Sequence, residues 1–390
     1  MSYTDKVGAE PKGENVMIEI REVKGKKELR KFIDFPLSLY KDCPYFTPYI
    51  YEDEIANLTP GKNPASSYCD FKLMMAYKDG KAVGRICAII SHFANEKYGQ
   101  KRVRFNRIDM IDDIEVTKAL IGAVEEFGKE NGMDEICGPL GYSDQDKEGL
   151  LTYGFYRKNM FATFYTHPYY VDHLRELGFV EDAVWTEYQI PTPKVIDHTV
   201  TRIAEHARNL YHLKVVKLTR KSQLKPYIYK VLEMTNKCYA NLYEYVPISK
   251  EQMTHLAAQY VPLIDLRFVQ LIENEEGELV GYGLMIPTPV NALKKCNGHL
   301  FPWGWIPFLH DLKHSKSLDM LLISVDPDYR RKGVAALILE ASNKSCLENG
   351  IEYAETGPML TTNLEIQSLW SRFEKTHHKT RACFLKKIGE

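Results

Sequence analysis

The chain has 390 residues, 44% hydrophobic and 26% charged, with a formal net charge of −1. That length suits about two to three soluble domains, and the charge balance gives no general drive toward nucleic acid or an anionic membrane. No run reaches the ~18 apolar residues of a membrane span, and the eight cysteines form no C-x-x-C pair, so reduced core thiols in a cytoplasmic protein are expected.

The opening MSYTDKVGAEPKGEN has no apolar h-region and reads as a loose tail rather than a signal peptide. Val16–Val23 predicts a strand and Lys26–Tyr40 a helix that Pro36 must kink or end. After the proline- and aromatic-rich loop DCPYFTPYIYEDE comes a hairpin, LMMAYKDGKAVGRICAII, turning at Asp79-Gly80-Lys81. A strand at Arg102–Met110, a helix at Ile114–Asn131 and a strand at Glu135–Gly138 follow. The next segment, GPLGYSDQDKEGLLTYGF onward, is longer than a hairpin needs and closes with a short helix in HPYYVDHLRELGF. Pro191-Thr192-Pro193 reads as a linker.

Beyond it lie a strand at Lys214–Leu218, helices near Leu224–Asn241 and Lys250–Tyr260, and a second hairpin, FVQLIENEEGELVGYGLMI, from Phe268. Thr288–Leu318 then carries Trp303 and Trp305, either packing two units together or roofing a pocket. His310 and His314 stand four apart without a third ligand, so solvated helix histidines are expected and no metal site. A strand at Leu321–Val325 stops at Asp326-Pro327. The basic run Arg330, Arg331, Lys332 meets Gly333, and an amphipathic helix begins. The chain closes with a strand at Tyr353–Thr356, a helix opened by Asn363 and a strand at Ala382–Lys387.

These elements repeat. Gly281 lies 197 residues after its counterpart Gly84, Asn349 lies 218 after Asn131, and Gly357-Pro358 lies 219 after Gly138-Pro139. Three landmarks in one order point to a duplication. At the offset of 218, Asp112, Asp113 and Glu115 stand where the second half has Arg330, Arg331 and Gly333.

A strand, a basic glycine turn and a helix aim free amides and a positive helix end at an anion, although an ordinary surface turn has the same local pattern. The turn lacks the Gly-x4-Gly-Lys-[Ser/Thr] of a nucleotide loop and the G-x-G-x-x-G of a dinucleotide fold. Val325-Asp326-Pro327-Asp328-Tyr329-Arg330, continuing Arg330-Arg331-Lys332-Gly333-Val334-Ala335, resembles the acetyl-CoA motif of the GNAT superfamily of N-acyltransferases. The segments Phe35–Ile50, Gly138–Phe155 and His377–Lys387 resemble a bacterial tandem-GNAT family with mostly unassigned substrates.

The resemblance implies an α/β fold with mixed sheets: a degenerate GNAT-like domain at 15–190 and an acyltransferase domain at 200–390. It implies acetyl-CoA or another acyl-CoA as co-substrate, no metal, and a small-molecule or peptide amine as acceptor in the cleft between the halves. Pantetheine would pair with the backbone of Ile323, Ser324 and Val325, and the pyrophosphate would rest on Arg330, Arg331, Lys332, Gly333, Val334 and Ala335, with Asn363 also at the site. Glu355 is the expected base, with a surface carboxylate as its plain alternative. The tyrosine that many members place seven residues after the Asn is Trp370 here, so Tyr353 or water is left to protonate the thiolate. The degenerate half and the absent tyrosine keep open a non-catalytic acyl-CoA sensor. Long-chain and aminoacyl transfer are variants known on tandem folds.

Overall fold

The computed structural model describes residues 17–389. The tail, and Val16 of the first expected strand, lie outside the described residues. Strand β1 (Ile18–Glu22) leads into helices α1 (Gly25–Leu39) and α2 (Tyr51–Leu58). Pro36 does not end α1, which continues to Leu39. The carbonyl of Phe32, which a residue with an N–H at position 36 would have engaged, accepts from Arg85 Nη1 at 2.8 Å instead.

The hairpin of β2 (Cys69–Lys78) and β3 (Lys81–Ser91) turns on Asp79 and Gly80, both at positive φ, as a two-residue hairpin requires. Then come α3 (His92–Tyr98), β4 (Arg102–Met110), α4 (Ile114–Glu130), β5 (Glu135–Gly138), β6 (Leu150–Tyr153), α5 (Tyr169–Glu176) and β7 (Val180–Pro191). The second half runs α6 (His198–Tyr211), β8 (Lys214–Val215), α7 (Lys225–Tyr239), α8 (Lys250–Tyr260), β9 (Val269–Glu273), β10 (Leu279–Pro287), α9 (Val290–Lys295) and α10 (Trp305–His314). It ends with β11 (Ser317–Val325), α11 (Val334–Glu348), β12 (Tyr353–Thr356), β13 (Met359–Leu360), α12 (Leu364–Leu369) and β14 (Thr376–Lys387).

The repeated glycines do the same job in each half. A Cβ on Gly84 would fall 2.8 Å from Leu120 Cδ1 of α4, and one on Gly281 would fall 2.4 Å from Val334 Cγ1 of α11. Only glycine lets the long helix settle on its hairpin at that distance. The two halves accordingly bury their own apolar clusters, one centred on Ile86, Phe105 and Leu120, the other on Val280, Val334 and Leu337.

Two separate sheets were expected, but the strands of the described residues form one, in the order β1-β2-β3-β4-β5-β14-β7-β12-β11-β10-β9-β8. The last strand of each half sits beside the fifth strand of the other. β14 pairs with β5 through Phe384↔Gly138, and β7 pairs with β12 through Ala354↔Ile190. The two exchanged strands also pair with each other over most of their length. Cutting the chain at Pro191–Pro193 would therefore leave each half without its closing strand.

β14 is twice as long as Ala382–Lys387 suggested, starting at Thr376. Within its polar first half, THHKTR, His378, Lys379 and Arg381 are buried, and the two cations are matched by ion pairs rather than by apolar packing. Glu187 of β7 meets Arg381 and, at 3.6 Å, Lys379, all three with no exposed side-chain surface. Burial alone would raise the pKa of Glu187, but the two cations outweigh it and hold the carboxyl below its usual range.

Candidate functional site

β11 and β12 run parallel only over Ser317–Met320 and then part. Asp326 N bonds Val280 O at 2.9 Å, so alternation turns the backbone groups of Ser324 toward β10 and those of Ile323 and Val325 toward the opening. Both carbonyls there already have partners on α7: Ile323 O accepts from Tyr239 Oη at 3.0 Å, and Val325 O from Cys238 Sγ at 3.4 Å. Ile323, Ser324 and Val325 lie in the wall of a cavity of about 1390 Å³.

The basic turn joins the same wall. Arg331 and Gly333 take left-handed φ values of 62° and 81°, and the first intrahelical bond of α11 is Leu337 N to Gly333 O. The amides of Val334 and Ala335 therefore precede the helix's own ladder. Arg330, Arg331, Gly333, Val334, Ala335 and Asn363 all line the cavity. Lys332 does not; its ammonium lies 4.6 Å from the ring centre of Tyr329 and 5.6 Å from that of Tyr211. Gly333 answers to its φ and to α6, since a Cβ there would come within 2.8 Å of Ala207 Cβ. Asn363 uses its side-chain oxygen to cap α12 at Ile366 N.

At the offset of 218, Phe105 corresponds to Ile323. Its carbonyl accepts from Leu140 N at 2.9 Å, so in the first half the chain itself fills the opening. Asp113 caps α4 through Glu115 N and pairs with Lys78 at 2.8 Å.

No protein-family model matches the chain. Among curated proteins it is 26% identical over 378 residues to Protein YghO of Escherichia coli (strain K12), covering 95% of each. It is 25% identical over 382 residues to a protein named bacterial ceramide synthase of Caulobacter vibrioides, covering 96% of this chain and 98% of the relative. Among solved structures, a tandem GNAT protein from the clavulanic acid biosynthesis pathway superposes with a TM-score of 0.54 at 10% identity, over 96% of this chain and 99% of that one. The chain has the tandem GNAT fold. A GCN5-related glucosamine N-acetyltransferase region of a fungal multi-domain β-N-acetylglucosaminidase gives 0.57 at 11% identity. There the match covers 96% of this chain and 38% of the fungal one.

Within this tandem GNAT fold, the two residues expected to do acid–base work lie away from the cavity. Ala354 and Thr356 line it, and strand alternation sends Tyr353 and Glu355 to the other face. Glu355 Oε2 is held by Lys379 Nζ at 3.0 Å, in the ionic cluster that joins the exchanged strands. Trp370 is buried, and its indole N–H points at Met359 Sδ. Trp303 and Trp305 roof nothing. α9 and α10 pack the halves together through Ile50, Phe161, Leu293 and Phe308, and both indoles are exposed. His310 and His314 are exposed too, with His314 Nδ1 against His310 O.

Besides Arg330, Arg331 and Glu365 of the second half, the last of which pairs with Arg330 at 3.3 Å, the cavity wall carries ionisable groups of the first half on the loop following Gly138-Pro139: Asp144, Asp146, Lys147 and Glu148. The loop is tied down by Arg104 Nη1 on Gly141 O at 3.1 Å, Asn106 Nδ2 on Lys147 O at 3.2 Å and Gly149 N on Pro139 O at 3.1 Å. Burial pushes Asp144 up to about 7 and Lys147 down to about 7. Burial, reinforced by the charge of Asp144, raises Glu148 well above the usual carboxylate range. Glu148 Oε2 and Lys147 Nζ are shut off from solvent without a hydrogen-bond partner. Sequence reasoning passed over them, although four ionisable groups in Asp144–Glu148 on an over-long connection were a visible signal.

Proposed function

We propose that the chain is an acyl-CoA-dependent N-acyltransferase acting on a long-chain amine. The observation that carries this reading is that the anion-binding turn at Arg330–Ala335 and the perturbed carboxyls Asp144 and Glu148 lie in the wall of one cavity. The turn suits a pyrophosphate: left-handed residues, free helix-start amides and two guanidiniums. Between it and the carboxyls the wall is largely apolar, with Leu232, Leu284, Met285 and Leu321 among its side chains, which suits an alkyl chain better than a charged peptide. The name of the Caulobacter relative agrees with this, since a ceramide is a fatty acyl amide of a long-chain amino alcohol.

In this reading the amine nitrogen attacks the thioester carbonyl, the C–S bond breaks, and the nitrogen's proton passes to the Asp144–Glu148 pair. Asp144, poised near neutrality, is an efficient acceptor at physiological pH. Tyr239, kept protonated by burial and already donating at the mouth of the opening, is the hydroxyl that returns a proton to the thiolate. Ion pairing leaves Glu355 to position β14.

The test is thiol release from acetyl- and palmitoyl-CoA with a panel of short amines and long-chain amino alcohols. Release that requires the long-chain amine and is lost in Asp144→Asn with CoA binding intact supports the reading. Binding without release for any amine would leave an acyl-CoA sensor.

A further inference from the structure

We infer that α10 and the turn before it form a docking surface for an anionic phospholipid bilayer. The inference rests on this segment's own chemistry and does not require the proposed activity. Five large apolar side chains crowd into nine residues, each substantially exposed: Phe301 and Trp303 at 71%, Leu309 at 51%, Ile306 at 50% and Trp305 at 44%. Isolated exposed apolar residues need no explanation, but a contiguous group with two indoles does.

The helix is held by its other face. Phe308 and Leu312 are buried with Leu293 and Ile286, so the exposed rings sit on a fixed element. Trp305 Nε1 donates to Pro302 O at 3.0 Å, which leaves that ring no unsatisfied donor on entering an apolar layer. Indoles favour the headgroup boundary of a bilayer, where an apolar ring and a polar edge are both accommodated.

The rim selects the lipid. Lys295, Lys313 and Lys316 are exposed at the ends of α9 and α10 and outnumber Glu52, whose carboxylate accepts from Leu300 N and Phe301 N at 3.4 Å. The one acid of α10, Asp311, is engaged by Ala292 N at 2.7 Å. An apolar face with a cationic edge matches an interfacial helix on anionic headgroups. The same edge disfavours a two-fold contact with a second copy, which would bring like charges together. The net charge of −1 for the whole chain concealed this local bias. The position is also suggestive, since the cluster behind α10 includes Tyr260 and Leu321, both in the cavity wall.

Trp185 and Trp370 are buried, so a change in tryptophan emission on adding vesicles reports Trp303 and Trp305. The wild-type chain should shift to the blue and co-sediment with equimolar phosphatidylcholine–phosphatidylglycerol vesicles, and less with phosphatidylcholine alone. Trp303→Ser with Trp305→Ser should lower partitioning by at least about tenfold while the chain still melts cooperatively, since Trp303 is 71% exposed and Trp305 gives up only its bond to Pro302 O. Lys313→Glu with Lys316→Glu should remove the preference for the anionic lipid. No emission shift and no sedimentation of the wild type with either vesicle would overturn the inference. So would a concentration-dependent dimer in light scattering that the tryptophan changes abolish while vesicle binding persists.

Discussion

Replacing Glu187 with glutamine should destabilise the chain by about 3–5 kcal/mol, the usual consequence of leaving buried charge uncompensated. The carboxylate lies on β7 and serves Arg381 and Lys379 on β14, with all three side chains sealed from water. Lys379 retains Glu355 at 3.0 Å. Arg381 retains only neutral acceptors, among them Asn159 Oδ1 at 2.9 Å and Thr163 Oγ1 at 3.0 Å. One net positive charge is thus stranded at the join between the halves. Glutamine can still accept one bond, so it belongs at the lower end of the range and leucine at the upper. Urea denaturation followed by circular dichroism reads this as a lower midpoint with an unchanged slope. Combining Glu187→Leu with Arg381→Met and Lys379→Met should recover part of the loss, since apolar replacements of buried ion pairs are often tolerated. A Glu187→Gln cost below about 1 kcal/mol, the scale of an exposed pair, would refute the view that buried ion pairing joins the exchanged strands.

Turnover should rise with pH through about 7, falling roughly tenfold per unit below it, because Asp144 accepts a proton only when ionised; Asp144→Asn should abolish that limb in a pH–rate profile. His378 is held down to about 3, first by burial and then by the charge of Lys379. The unfolded chain therefore binds a proton near pH 6.5 that the folded chain refuses. Stability should fall as pH drops from about 6.5 toward 3, and His378→Asn should flatten that fall by about 1.4 kcal/mol per unit in denaturation midpoints taken across the range.

The hairpins, the long helices and the glycine turn were legible because local rules specify them: Asp79-Gly80 suits a tight turn, and Gly84 and Gly281 admit a helix. The strand exchange was not. Nothing local tells β7 and β14 which edge to join, and THHKTR looks like surface until Glu187 is placed opposite it. Glu355 was expected from the carboxylate that the resemblance implies on a central strand, while its direction depends on a one-residue alternation that Ala354 and Thr356 resolve the other way. Asp144 and Glu148 went unread because nothing local shows that their loop folds against Arg104 and Asn106 and, through Val246 N on Asp144 Oδ1, against the opposite half. Asp112, Asp113 and Glu115 at the positions of Arg330, Arg331 and Gly333 are visible in the sequence, whereas the first half's contribution of cavity carboxyls is a tertiary fact.

The most direct test of the account is a calorimetric titration of palmitoyl-CoA and free CoA into wild type and into Arg330→Glu with Arg331→Glu. Charge-assisted hydrogen bonds contribute roughly 1.5–3 kcal/mol each, so the double change should weaken both ligands by at least about tenfold. One site per chain is expected, tighter for palmitoyl-CoA than for CoA because the apolar wall takes up the acyl chain. Unchanged affinity in the double variant, or two equal sites per chain, would contradict it.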